Sequence, residues 1–191
     1  MKVDNDLYFS PRFKFSDLDW GNKENLIFAF HDRVHGFYLE PTFILLEQGH
    51  AFAAGVLLVT TVDFLAKIQI GGNTGSRIEQ WLESNIAEFS KTDPARPSNT
   101  LAKRFYNEFR NGLVHEGRIK NGGQFSFESD NLVAVMDNSV MVVNPEYLFR
   151  AVVASFESYE QSLGDEFAFH RFRRSLIENF WKDVEIAHEH R

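Results

Sequence analysis

No cysteine occurs among the 191 residues, so no disulfide and no thiolate metal site can form. Long apolar runs are missing too. The longest, Ala51 to Val62, stops at Asp63 and is shorter than a bilayer span. The opening residues MKVDNDLYFSPRFKF contain no apolar run of signal-peptide length and no small-residue cleavage site. These absences suit a soluble, cytoplasmic chain with no membrane association. Basic charge is in deficit: 20 Lys and Arg against 27 Asp and Glu leave a formal charge of −7, which argues against coating nucleic acid through bulk electrostatics. A local basic pocket stays open to it. There is no internal repeat, no low-complexity tract, no Gly-x-Ser-x-Gly elbow and no linker of interdomain character.

What is present is apolar and aromatic. A hydrophobic fraction of 43%, with 20 Phe, fills a core and confines expected disorder to the polar ends Met1–Asp6 and His188–Arg191. Leu26, Ile27, Phe30, Val34, Phe37 and Tyr38 recur at helical spacing from Asn22 until Pro41, which is expected to interrupt. A largely apolar helix carrying Phe52, Val56, Val59, Val62 and Leu65 comes next, and Gly71-Gly72-Asn73 ends it. Ser76 with Glu79 reads as a capping box ahead of Ile78, Trp81, Leu82, Ile86 and Phe89. Asp93-Pro94 and Pro97-Ser98 mark a loop. Leu101, Phe105, Phe109 and Leu113 then stripe another helix, with Gly117 as its stop.

From Gly122 the period falls to two. Gln124–Glu128, Leu132–Met136 and Val140–Val143 are strand candidates with turns at Ser129-Asp130-Asn131 and Asp137-Asn138-Ser139. Asn144-Pro145 starts a helix through Leu148, Val152, Phe156 and Leu163, and a last helix follows from Asp165. The expected fold is mainly α, a single domain over 1–191. It is an antiparallel bundle of five to six helices with a small antiparallel β-meander inserted at about 122–143.

On a wheel of the 101–116 helix, Glu108, Arg110, Asn111 and His115 fall on the side the apolar arc leaves, with Glu108, Asn111 and His115 grouped and Arg110 at one margin of that polar side. Imidazole is the side chain best suited to proton transfer near neutral pH. Guanidinium keeps its proton and offers a planar fork to phosphate oxygens, and the Asn111 carboxamide orients a hydroxyl or phosphate without adding charge. Together these groups suit cleavage of a phosphodiester without a metal or other cofactor. The bland reading of the same residues is a solvated helix end, with Arg104 and Glu108 as an i,i+4 pair and His115 on the last carbonyls.

Arg110-Asn111-Gly112-Leu113-Val114-His115 resembles the Arg-x4–6-His motif of HEPN domains, in the form where Asn follows the arginine. HEPN domains are helical bundles, and many are metal-independent endoribonucleases of toxin–antitoxin and defence systems. The resemblance implies a homodimer whose two motifs meet, and leaves room for an antitoxin-like protein partner. It implies His115 as acid/base on the ribose 2′-hydroxyl or the leaving oxygen, Arg110 on the phosphorane charge and Asn111 positioning RNA. Glu108 and Arg104 are expected beside the substrate. Family members often carry further polar residues on another helix.

His170-Arg171-Phe172-Arg173-Arg174 is the densest basic cluster. Arg171, Arg173 and Arg174 are candidate contacts to RNA phosphates, against the alternative of an ordinary charged face. His31 and His35, four apart, are the metal-site alternative, with Glu47 or His50 as a third ligand. Gly71–Ser76 precedes a helix start but lacks the P-loop lysine, so it reads as a connector. His188 and His190 read as solvated ends. The functional expectation is a HEPN-like endoribonuclease. The alternatives are a non-catalytic HEPN-like module binding RNA, nucleotide or protein, and a helical metalloenzyme.

Overall fold

A computed structural model describes residues 2–3, 6–137 and 139–189. Of the expected solvated ends, Met1, Asp4, Asn5, His190 and Arg191 lie outside these residues, as does Asn138 of the second strand turn. The fold is mainly α, with six continuous helices and small sheets among the described residues.

β1 (Lys2–Val3) pairs antiparallel with β2 (Asp6–Leu7). α1 (Lys23–Val34) starts at Asn22, whose side chain accepts the Asn25 amide proton. His35–Leu39 widens into a π-helical turn, and α2 (Glu40–Glu47) continues from it without a break. The expected interruption at Pro41 is thus corrected: the wider turn gives the ring room that a regular α-turn denies. The chain reverses instead at Gly49, where φ is 74°.

α3 (Ala51–Gln69) ends just ahead of Gly71-Gly72-Asn73, as expected, and carries Asp63, which is ion-paired to arginines from two other helices. By length and composition α3 suffices to cross a membrane, and half of it is buried within the fold. α4 (Thr74–Asn85) begins two residues ahead of Ser76. Asn73, whose side chain accepts the Gly75 amide, is the cap in place of the expected Ser76–Glu79 box.

The expected loop around Asp93-Pro94 is a hairpin, β3 (Thr92–Asp93) against β4 (Arg96–Thr100). α5 (Leu101–Phe105), a π-helical turn Tyr106–Arg110 and α6 (Asn111–Glu116) form one continuous helix, closed by Gly117 at φ 67°. β5 (Gln124–Phe125), β6 (Val133–Met136) and β7 (Val140–Val143) make a sheet in the order β5-β7-β6.

β6 and β7 are the expected antiparallel hairpin. β5 differs: it runs parallel to β7 on the far edge. Residues 126–132 cross the end of β7 to reach β6 on the opposite edge, and Phe125 is held where it stacks edge-on to Phe109 at 5.0 Å. α7 (Pro145–Ser162) begins as expected, with Asn144 Oδ1 accepting the Glu146 and Tyr147 amides. α8 (Glu166–Glu189) begins where Asp165 Oδ1 accepts the Ala168 amide.

The chain divides into two compact units, Met1–Glu40 with Glu157–Arg191, and Pro41–Phe156. The first buries Phe9, Phe15, Leu26, Phe30, Phe172 and Leu176, with Phe180 against Phe9 at 5.3 Å. The second buries Leu58, Val62, Leu65, Trp81, Phe105 and Phe109.

Candidate functional site

The candidate motif lies on the α5–α6 helix, in the second unit. Thr100 caps the helix by accepting the Lys103 amide at 3.2 Å, and Phe105 and Phe109 stack at 5.0 Å on its buried side. At the π turn the Asn111 amide reaches back to the Tyr106 carbonyl, five residues away. The Glu108 carbonyl is thereby left to accept the Lys120 amide at 3.0 Å. This folds residues 118–120 back over Gly112, where an added Cβ would sit 2.4 Å from the Arg118 carbonyl oxygen. The motif's glycine is thus required by close backbone approach.

The extra residue in the π turn rotates the preceding positions, and this corrects the surface role expected for Arg104 and Glu108. Both side chains are 1% exposed. Arg104 donates through Nε to Glu108 at 3.1 Å, through Nη1 to Asp93 at 3.2 Å and through Nη2 to the Ser139 carbonyl. Glu108 also accepts from Asn121 at 3.0 Å and faces Arg96 at 3.4 Å. These groups tie the β3–β4 hairpin and the β6–β7 turn to the helix. They are internal struts, withdrawn from any substrate.

Arg110 lies on the other side. Its Nε and Nη2 donate to Asp63 Oδ2 on α3 at 3.1 and 2.9 Å, and its Nη1 to the Asn111 carboxamide oxygen at 3.3 Å. Asp63 Oδ1 accepts from Arg77 of α4 at 2.6 Å, and Arg77 also donates to the Gly72 carbonyl. Two guanidiniums thus share one carboxylate, and the cluster keeps a positive excess in an acidic chain. The three side chains are mostly buried, 11 to 21% exposed. Sequence reasoning missed Asp63 and Arg77. The one usable signal was a lone carboxylate inside the apolar α3 run.

His115 stands exposed on the last turn of α6, four residues from Asn111 and so on the same helical face. Among the described residues it makes no hydrogen bond or ion pair. The structure therefore joins Arg110 and Asn111 directly, and places His115 one turn along. Arg171, Arg173 and Arg174 belong to α8, in the other unit. Arg171 and Arg174 are exposed, whereas Arg173 turns inward and its Nε is buried without a partner.

In the first unit, the rings of His31 and His35 stack at 4.1 Å, and His31 Nδ1 lies 3.0 Å from both oxygens of Glu160. They line a cleft of about 380 Å³ with Arg12, Asp32 and Glu40. Burial and the neighbouring His31 lower the His35 pKa, and burial raises that of Glu160. No group of three or more His, Asp or Glu among the described residues is arranged to hold a metal ion. Among those residues the metalloenzyme alternative has no such ligand set.

No protein-family model matches the chain, and no curated protein or solved structure matches it either.

Proposed function

We propose that the chain is a HEPN-like endoribonuclease that cleaves RNA without a metal and works as a cytoplasmic homodimer. The observation that carries the reading is Arg110 bonded to Asn111 at the start of α6, with His115 on the Asn111 face one turn later. In the proposed reaction His115 takes the ribose 2′-hydroxyl proton, and that oxygen bonds to phosphorus. The bond to the 5′-oxygen breaks, and this oxygen receives a proton from the second protomer's His115. The products are a 2′,3′-cyclic phosphate and a free 5′-hydroxyl. Arg110 meets the equatorial charge on the phosphorane, and Asp63 orients its guanidinium while Arg77 restores the positive excess. Val114, 57% exposed beside His115, is an apolar side chain of the kind a protomer contact covers. A toxin or defence setting with an antitoxin-like partner belongs to the same proposal.

Purified parent, His115→Ala and Arg110→Ala proteins incubated with RNA in chelator test it. The parent should cut and leave cyclic-phosphate ends, and each variant should lose at least a hundredfold in rate. Equal cutting by all three removes the nuclease reading. The second reading, a non-catalytic binding module, is favoured by the occupation of Arg110 by Asp63. Salt-sensitive RNA binding by the parent with no turnover would select it.

A further inference from the structure

α8 turns one long face to solvent. At 100° per residue, Phe167, His170, Arg171, Arg174, Trp181 and Lys182 fall within an arc of about 120°, and all are exposed. Phe167 is 70% exposed and Trp181 48%, large values for rings of this size. Each ring carries a cation: Arg171 lies over Phe167 at 5.1 Å and Lys182 over Trp181 at 5.5 Å. Between the rings lie His170, Arg171 and Arg174. Glu178 and Glu185 share the face, leaving three full cations against two carboxylates; Glu178 draws Arg174 at 3.8 Å, but both side chains are about 70% exposed, so water screens the pair and the guanidinium is easily recruited. In a chain of net charge −7 this is a local reversal of sign.

We propose that this face of α8 is a binding ledge for single-stranded RNA. Bases stack on Phe167 and Trp181, and phosphates meet Arg171, Arg174 and Lys182. Exposed rings interleaved with cations suit an unpaired strand, because stacking accepts any base and needs that base free of a duplex. The two rings are roughly 21 Å apart along the helix axis, a span for an extended strand and not for a mononucleotide. An anionic membrane fits less well, since a helix lying in a lipid surface carries a continuous apolar stripe, while here charges separate the rings. The ledge rests on the nuclease reading only in choosing RNA over DNA.

Anisotropy of a labelled oligouridine, measured on His115→Ala protein in chelator, tests the ledge. Phe167→Ala and Trp181→Ala should each weaken binding roughly tenfold with an unchanged salt slope. Arg171→Gln with Arg174→Gln should weaken it and lower the slope by about 1.4. Unlabelled duplex should compete poorly. No binding by the unaltered ledge, unchanged binding by the ring variants, or capture by phosphatidylserine vesicles with none by oligouridine would each overturn it. The two readings fail separately. Cleavage that survives Arg110→Ala and His115→Ala while ledge variants bind weakly removes only the nuclease site. Cleavage lost in those variants with normal binding by ledge variants removes only the ledge.

Discussion

Burying Arg104 against Asp93 and Glu108 places one full cation between two carboxylates, with no water to screen them. Removing one member of such a set leaves a charge that the interior cannot solvate, and that cost exceeds the pair's net contribution. Arg104→Ala should therefore lower unfolding free energy by about 3–5 kcal/mol. Arg96→Ala, which removes a half-exposed cation from the same Glu108, should cost under about 1 kcal/mol. Urea midpoints of both variants decide it; similar small shifts would mean that Arg104 is not a strut. Arg110 differs in kind. Its partner Asp63 is shared with Arg77, so the guanidinium is oriented and yet not fully neutralised. Nothing local separates these two arginines. Each sits near a carboxylate in sequence or space, and the rotation of the helix between them decides which is fully enclosed.

That rotation is a property of the element. The π turn at Tyr106–Arg110 turns Arg104 and Glu108 inward, frees the Glu108 carbonyl for Lys120, and draws the backbone at Arg118 onto Gly112. Gly112→Ala should push residues 118–120 away and break the Lys120-to-Glu108 bond. A loss of about 1–3 kcal/mol is expected, with faster amide exchange at Arg118 and Lys120. Unchanged exchange at those amides would refute the close approach. Much at this scale was legible from sequence: the apolar stripe with Phe105 and Phe109, the Gly117 stop and the Asn144-Pro145 start all lie where local chemistry puts them. These are short-range signals. The π turns, the parallel β5 and the Asp63–Arg110 pair were not legible, because each depends on residues brought together by tertiary packing. Ser76 misled for a related reason. Its motif was sound, but Asn73 offered an earlier cap once Gly71 and Gly72 had turned the chain.

For the molecule as a whole, the displaced titrations of the described residues, Glu116 apart, gather in one of the two compact units. Asp32, Arg33, His35, Tyr159 and Glu160 all belong to the unit formed by Met1–Glu40 and Glu157–Arg191. His35 sets the sign near neutrality. Burial and the stacked His31 disfavour its protonated form, so below the ordinary value of 6.5 the unfolded chain takes a proton that the folded one resists. Stability therefore falls as pH drops from about 6.5 through the folded value. Glu160, raised by burial, acts oppositely: its destabilising effect sets in as pH rises from 4.5 through its raised value, so part of the His35 loss is offset on acidification. Asp32 adds its own loss only below 3.8, since hydrogen bonds from Ser10 and Arg12 outweigh its burial and lower its pKa. Hydrogen exchange corrected for intrinsic rates should then show α1 and α8 losing protection as pH falls below about 6.5, while α3 and α4 keep theirs. His35→Asn, which keeps a polar side chain but cannot take the proton, should flatten that response. Equal loss in α3 and α1, or an undiminished response in His35→Asn, would place the acid sensitivity elsewhere and deny the two units separate cooperativity.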